Sequence, residues 1–203
     1  MRKIFMRILI CSVISGVVWS ASLLQDRHQL REGLIRFHVV ANSDAAQDQE
    51  IKLQVRDAVL ESLRRDMESV TDVEKAKAYL QENLPKIQTI ANHTLEAAGF
   101  DENAVVTLCK EAFDIRYYDT FTLPAGVYES LRIVIGDGAG KNWWCVAFPA
   151  LCIPATAEGF TDVAAGAGFS DALSNTLADQ NSYNVRFFFL DALGRVENML
   201  FAE

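Results

Sequence analysis

The apolar positions of this chain follow three rhythms, and each predicts a different kind of element. The first is an unbroken run. From Ile8 to Leu24 there are 17 residues without a charge, preceded by Arg2, Lys3 and Arg7. A basic head followed by an apolar segment is the pattern of an export signal. The run sits at the short end of the roughly 17–25 residues that a spanning helix needs. Small residues at Ser20 and Ser22 offer cleavage positions, and an uncleaved anchor is the equal alternative. A buried soluble helix fits poorly, because the basic cluster lies only on the N-terminal side and charge resumes at Asp26. The chain thus divides into residues 1–24, a signal peptide or membrane anchor, and 25–203, one extracytoplasmic domain.

The second rhythm is a short, branched run, and the third is a helical repeat. Gly33 to Ala41 (GLIRFHVVA) predicts a strand, halted by Asn42-Ser43-Asp44. Asp44 followed by Gln47 fits a capping box, in which the side-chain oxygen accepts from a free helix N–H. Ile51, Val55, Ala58, Val59 and Leu63 then recur at three- and four-residue spacing, with Lys52, Arg56, Glu61 and Arg64 largely on the other side. A second helical region runs from Val70 to Ala98, with Pro85 expected to start a new helix after a break near Asn83 and Gly99 as the stop.

Beyond Gly99 the period shortens. Ala104 to Phe113, Ile115 to Phe121, Tyr128 to Ile135 and Trp143 to Phe148 read as strands, with turn chemistry at Leu123-Pro124-Ala125-Gly126 and a closing Pro149. Residues 155–181 are rich in Ala, Gly and Ser, with a short helix at 170–178, and Val185 to Leu190 (VRFFFL) reads as the last strand. The order predicts an α+β fold: an N-terminal export or anchor helix, then one domain with helices packed on a mostly antiparallel sheet.

Charge narrows the function. The net charge is −8, and without Arg2, Lys3 and Arg7 the 19 basic residues fall to 16 against 27 acidic, or −11. Such a domain lacks the basic face that nucleic acid requires and should not cling electrostatically to an anionic membrane. Export also changes how the cysteines read. Cys11 lies in the apolar run. Cys109, Cys145 and Cys152 remain, and two readings stand for them: a Cys145–Cys152 disulfide, or three buried reduced thiols.

The stretch Gly136 to Cys145, GDGAGKNWWC, superficially resembles a phosphate cradle. A P-loop needs G-x-x-x-x-G-K-[ST]. Here Ile135 occupies the first glycine position and Asn142 the hydroxyl position, and Trp-Trp-Cys-Val follows where a helix should start. The nucleotide reading fails, and the glycines read instead as a tight connection after a strand. No catalytic motif is evident. His28 falls in a linker, His38 in mid-strand and His93 in mid-helix. Asp44, Asp48 and Glu50 lack calcium-loop spacing, so neither a metal nor a cofactor is expected. An exported hydrolase or cell-wall binding module using His38 or His93, with Cys145 or an acidic partner, is the alternative reading.

Two long blocks, IRFHVVANSDAAQDQEIKLQVRDAVL (35–60) and GAGKNWWCVAFPALC (138–152), resemble the stage II sporulation protein R family of endospore-forming bacteria. Cys145 and Cys152 match that family's paired cysteines. The resemblance implies a protein made in the forespore and exported into the space between the two membranes. There it would activate a membrane-embedded aspartic protease of the mother cell, which processes the precursor of sporulation sigma factor E. On that reading the chain is a ligand and not an enzyme. Asn42, Ser43 and Asp44 with Lys141, Asn142, Trp143 and Trp144 are the expected contact residues, one tryptophan serving as the apolar anchor. The competing expectation is that both blocks merely close the core.

Overall fold

The computed structural model describes residues 1–68, 70–118, 120–148, 164–165, 168–179 and 184–201. Helix α1 (Arg2–Gly33) is exposed and apolar through its first two thirds, and it turns its last third inward with Leu23, Asp26, Arg27 and Leu30 buried. It runs unbroken through residue 24. His28 lies on this helix and not in a linker.

Strand β1 (Ile35–Val40) follows at once, all six residues buried. Helices α2 (Ala46–Asp66) and α3 (Val73–Ala97) lead to β2 (Ala104–Phe113). A two-residue pair, β3 (Arg116–Tyr117) and β4 (Thr122–Leu123), precedes β5 (Gly126–Ile135) and β6 (Asn142–Phe148). Helices α4 (Asp171–Ala178) and α5 (Val185–Phe201) end the described chain.

The main sheet has the order β2-β5-β1-β6. Its two outer pairings are antiparallel, and the central β1–β5 pairing is parallel. The fold is α+β, as the order of elements predicted. Alternation along β1 assigns its side chains to two layers. Ile35, Phe37 and Val39 join Leu131, Ile133 and Cys145 beneath the apolar stripes of α2 and α3. Arg36 and His38 face the other way, toward Tyr128, Phe113 and Val146. That second layer is closed by Leu23 and Leu30 of α1, Leu173 and Leu177 of α4, and Leu190 of α5. Each such buried aliphatic side chain contributes about 1.5–3 kcal/mol.

Several local expectations are corrected. Helix α3 does not break at Asn83 but continues through Pro85. Proline inside a helix costs about 3 kcal/mol, yet Ala76 and Leu80 before it and Ile87, Ala91 and Leu95 after it all enter one core, which outweighs the lost bond. Asn83 Nδ2 donates to Tyr79 O and Thr89 Oγ1 to Pro85 O, steadying the turns on either side. Lys52 is buried at 5% exposure instead of facing solvent. The stretch 115–121 shrinks to β3 and a turn in which Tyr118 N donates to Phe121 O.

The VRFFFL run is the start of a helix, not a strand. Aromatic content favours a strand locally, but the Asn184 side chain accepts from Phe187 N at 3.0 Å, a helix cap. Buried Leu190 and Gly194 are four apart, and Arg195 pairs with Asp191 at i,i+4. Pro149, Cys152 and about half of the Ala/Gly/Ser-rich stretch lie outside the described residues.

Candidate functional site

Because β1 and β6 are antiparallel neighbours, the end of β1 and the glycine loop before β6 meet at one corner of the sheet. Val40 pairs with Asn142, and the backbone continues the contact beyond the ladder. Gly140 N donates to Ala41 O at 2.9 Å, and Ala139 N to Asn42 O at 3.0 Å. Side chains then lock the two segments together. Asn42 Oδ1 accepts from Asp137 N at 3.0 Å while its Nδ2 donates to Asp48 at 3.1 Å. Asp44 Oδ1 accepts from Lys141 N at 2.8 Å.

The capping box is therefore absent. Asp44 serves the loop, α2 begins after Ala45 without a side-chain cap, and Ser43 Oγ accepts from Ala45 N. Gln49 Nε2 reaches back to Ser43 O. Beneath the loop, buried Lys52 donates to Lys141 O at 2.9 Å and to Gln49 at 2.6 Å. Desolvation pulls the ammonium of Lys52 below the ordinary lysine range.

Two glycines make the corner possible. Gly136 has φ +55°, in the left-handed region. At Gly140 a Cβ would lie 2.2 Å from Ser43 O, so only glycine lets the loop reach β1. Their role is close backbone approach and not phosphate binding.

The two tryptophans leave the corner on opposite faces of β6, both half-buried. Trp143 meets Phe37 edge-on at 6.0 Å, and the Arg56 guanidinium covers it at 4.7 Å. Trp144 stacks flat on His38 at 4.6 Å, meets Phe113 edge-on, and carries Arg116 over its ring at 4.3 Å. Asn42, Ser43 and Asn142 are half-buried, while Asp44 and Lys141 are exposed. The predicted contact residues thus come together, with the polar ones partly spent on holding the corner.

Sequence reasoning missed the polar strip behind Trp144. Glu111 of β2 accepts from His38 Nε2 at 2.8 Å and from Arg132 Nη1 at 3.2 Å. Burial raises the carboxyl's pKa, but the His38 hydrogen bond and Arg132 outweigh it and hold Glu111 below the usual range. An ionised carboxylate only accepts, so the bonded His38 nitrogen carries a proton. Arg36 is wholly buried; it donates to Tyr118 Oη at 3.0 Å and lies over Phe113 at 4.4 Å. Alternation could have placed Arg36 and His38 on one face of β1, but not Glu111 and Arg132 beside them.

Of the pairs in the alternative reading, His38 with Cys145 is not assembled, whereas His38 does meet an acidic residue, Glu111. Cys145 is disulfide-bonded, and it belongs to the layer opposite His38. Cys11 and Cys109 are free. Desolvation, then the charge of Glu111, pushes the Cys109 thiol up, away from thiolate chemistry. His93 is exposed on α3. Among the described residues no three metal-ligating side chains cluster.

A family profile described as stage II sporulation protein R matches residues 31–158. The chain is also 34% identical over 152 residues to stage II sporulation protein R of Bacillus subtilis (strain 168), covering 73% of this chain and 68% of the relative. The chain belongs to the stage II sporulation protein R family. The matched residues of this family include the whole corner, the polar strip and the strands that carry them. Its role is in sporulation. No solved structure matches the chain. The N-terminal helix of this member is long and apolar enough to cross a membrane, as a signal peptide or an anchor also would be, which is consistent with export.

Proposed function

We propose that this protein is a secreted forespore-to-mother-cell signal that activates a membrane-embedded aspartic protease, which then processes the precursor of sporulation sigma factor E. Family membership, with the 34% identical sporulation relative, carries the reading. The apolar, exposed first part of α1 supports export into the intermembrane space, with or without cleavage. Activation needs no chemistry from this chain. It needs only that one state of the protease be bound better than another.

The proposed contact face is the corner, where exposed Lys141 and Asp44 flank a backbone clamp and a tryptophan lies on either side of the edge. Its experiment is reconstitution: the purified chain, the protease in proteoliposomes, and the precursor substrate. Cleavage should begin only when the chain is added. A well-folded chain that leaves the precursor intact while binding the protease would overturn the activator reading. Cleavage of the precursor by this chain without the protease would make it the enzyme.

A further inference from the structure

Helix α5 is built inside out. At 100° per residue, Phe188, Val185, Val196, Phe189 and Leu193 fall on one arc with Met199 and Leu200, roughly 140° wide and free of charge. That arc faces solvent: Phe188 is 67% exposed, Met199 66% and Leu200 69%. The charges point the other way or are paired. Arg186 binds Asp26 and Ser22 of α1, Glu197 binds Arg27 and Arg31, and Asp191 accepts from Ala125 N and holds Arg195. A surface helix of a water-soluble domain shows the reverse arrangement. An apolar face of this extent marks contact with something other than water.

The neighbouring surface identifies what covers it. The exposed apolar length of α1 reaches Trp19, and the Trp19 ring meets Phe189 edge-on at 5.1 Å. The apolar face of α5 therefore continues the apolar surface of the segment suited to cross a bilayer, and tryptophan is a residue of the membrane interface. Electrostatic adhesion is not available to a domain of net charge −11, so the contact must be apolar. Helix α5 also lies beyond residues 31–158, which the family profile matches.

We propose that the outer face of α5 lies in the bilayer interface beside the point where α1 leaves the folded domain, so that the protein grips the membrane at two places. This rests on α1 being a membrane segment. The test uses the full chain in phosphatidylcholine vesicles, with and without anionic lipid. In a Cys11→Ser, Cys109→Ser background, Val196→Cys and Met199→Cys carry an environment-sensitive dye. Glu74→Cys on exposed α3 gives the aqueous reference, and native Cys11, with only Cys109→Ser, reports on α1.

Lipid-borne quenchers should dim the labels at 196 and 199, and iodide should reach them several-fold less than the label at 74, equally in neutral and anionic vesicles. Labels at 196 and 199 as open to iodide as that at 74, with Cys11 quenched by lipid, overturn the proposal and leave the anchor intact. Protection from iodide without lipid quenching assigns the face to a second copy and overturns it too. A Cys11 label open to iodide defeats the anchor reading separately; lipid quenching at 196 and 199 would still place α5 on the bilayer.

Discussion

Replacing Gly140 by alanine tests whether the corner is a clamp. The new Cβ would sit 2.2 Å from Ser43 O, 2.5 Å from Ser43 C and 3.0 Å from the Ala41 Cβ. Carbon contacts are comfortable only at about 3.5–4.0 Å, so the loop must retreat by about 1 Å. The obstacle is backbone, which cannot rotate aside as a side chain would. Retreat breaks the bonds from Gly140 N to Ala41 O, Ala139 N to Asn42 O and Lys141 N to Asp44, and loosens the hold of Lys52 on Lys141 O. At about 1 kcal/mol each the first three total about 3 kcal/mol. The stiffer unfolded chain returns about 0.4–1 kcal/mol. The net loss is about 2–3 kcal/mol, or about 4–12 °C in melting temperature for a chain of this size. Circular dichroism melting checks the magnitude, and hydrogen exchange at the amides of residues 139–141 checks the location. Unchanged melting with equally slow exchange at those amides would refute the clamp. If exchange quickens and precursor cleavage is untouched, the contact face lies elsewhere.

Three further perturbations bear on the polar strip, the tryptophans and α5. Glu111 is held below its ordinary value of 4.5, so its ionisation stabilises the fold above that pH, and the stabilisation is lost as pH falls through the lower folded value. Melting of the parent should therefore drop on acidification below 4.5, and Glu111→Gln, which keeps an acceptor for His38, should flatten that limb; an identical acid limb would exclude Glu111 as its source. Trp144→Ala removes a ring held between His38, Phe113 and Arg116 and should cost about 2 kcal/mol or more, read by thermal melting, whereas an unchanged melt with weakened cleavage would make Trp144 a pure anchor. Gly194→Ala places a Cβ 1.6 Å from Ala125 O, so α5 should lift with a loss of about 1–3 kcal/mol by denaturant melting, and wild-type stability would show that α5 is not seated there.

Much of the fold was legible because periodicity reports burial directly. The stripe Ile51, Val55, Val59, Leu63 and the run Ile35 to Val40 went where their patterns pointed. Gly99, at φ +79°, ends α3 as a glycine stop should. The misses share one physical cause, which is long-range contact outweighing local preference. Pro85 was overruled by core packing on both sides of it, and the aromatic run at 185–190 by Asn184, Leu190 and Gly194. Asp44 looked like a cap because its local spacing was right, but its hydrogen-bond partner is 97 positions away. The corner residues were expected to act together, as one contact face. The Glu111–His38–Arg132 strip was not foreseen, because its three members lie on three strands whose pairing the sequence does not declare.

The parallel pairing at the centre of the sheet imposes an order on assembly. On the proposed export, a chain threaded through the membrane behind its N-terminal segment delivers β1 early. Ile35, however, pairs with Glu129, 94 positions later, and with Phe148, later still. Hydrophobic β1 would then wait, unpaired on both edges, until β5 and β6 arrive, and the long loop that closes over it makes folding slow as well as late. The last lock comes at the far end, where Glu197 reaches back to Arg27. A chain interrupted before α5 has crossed leaves that buried guanidinium without its carboxylate and the second layer open. The finished shape is thus a property of the completely delivered chain.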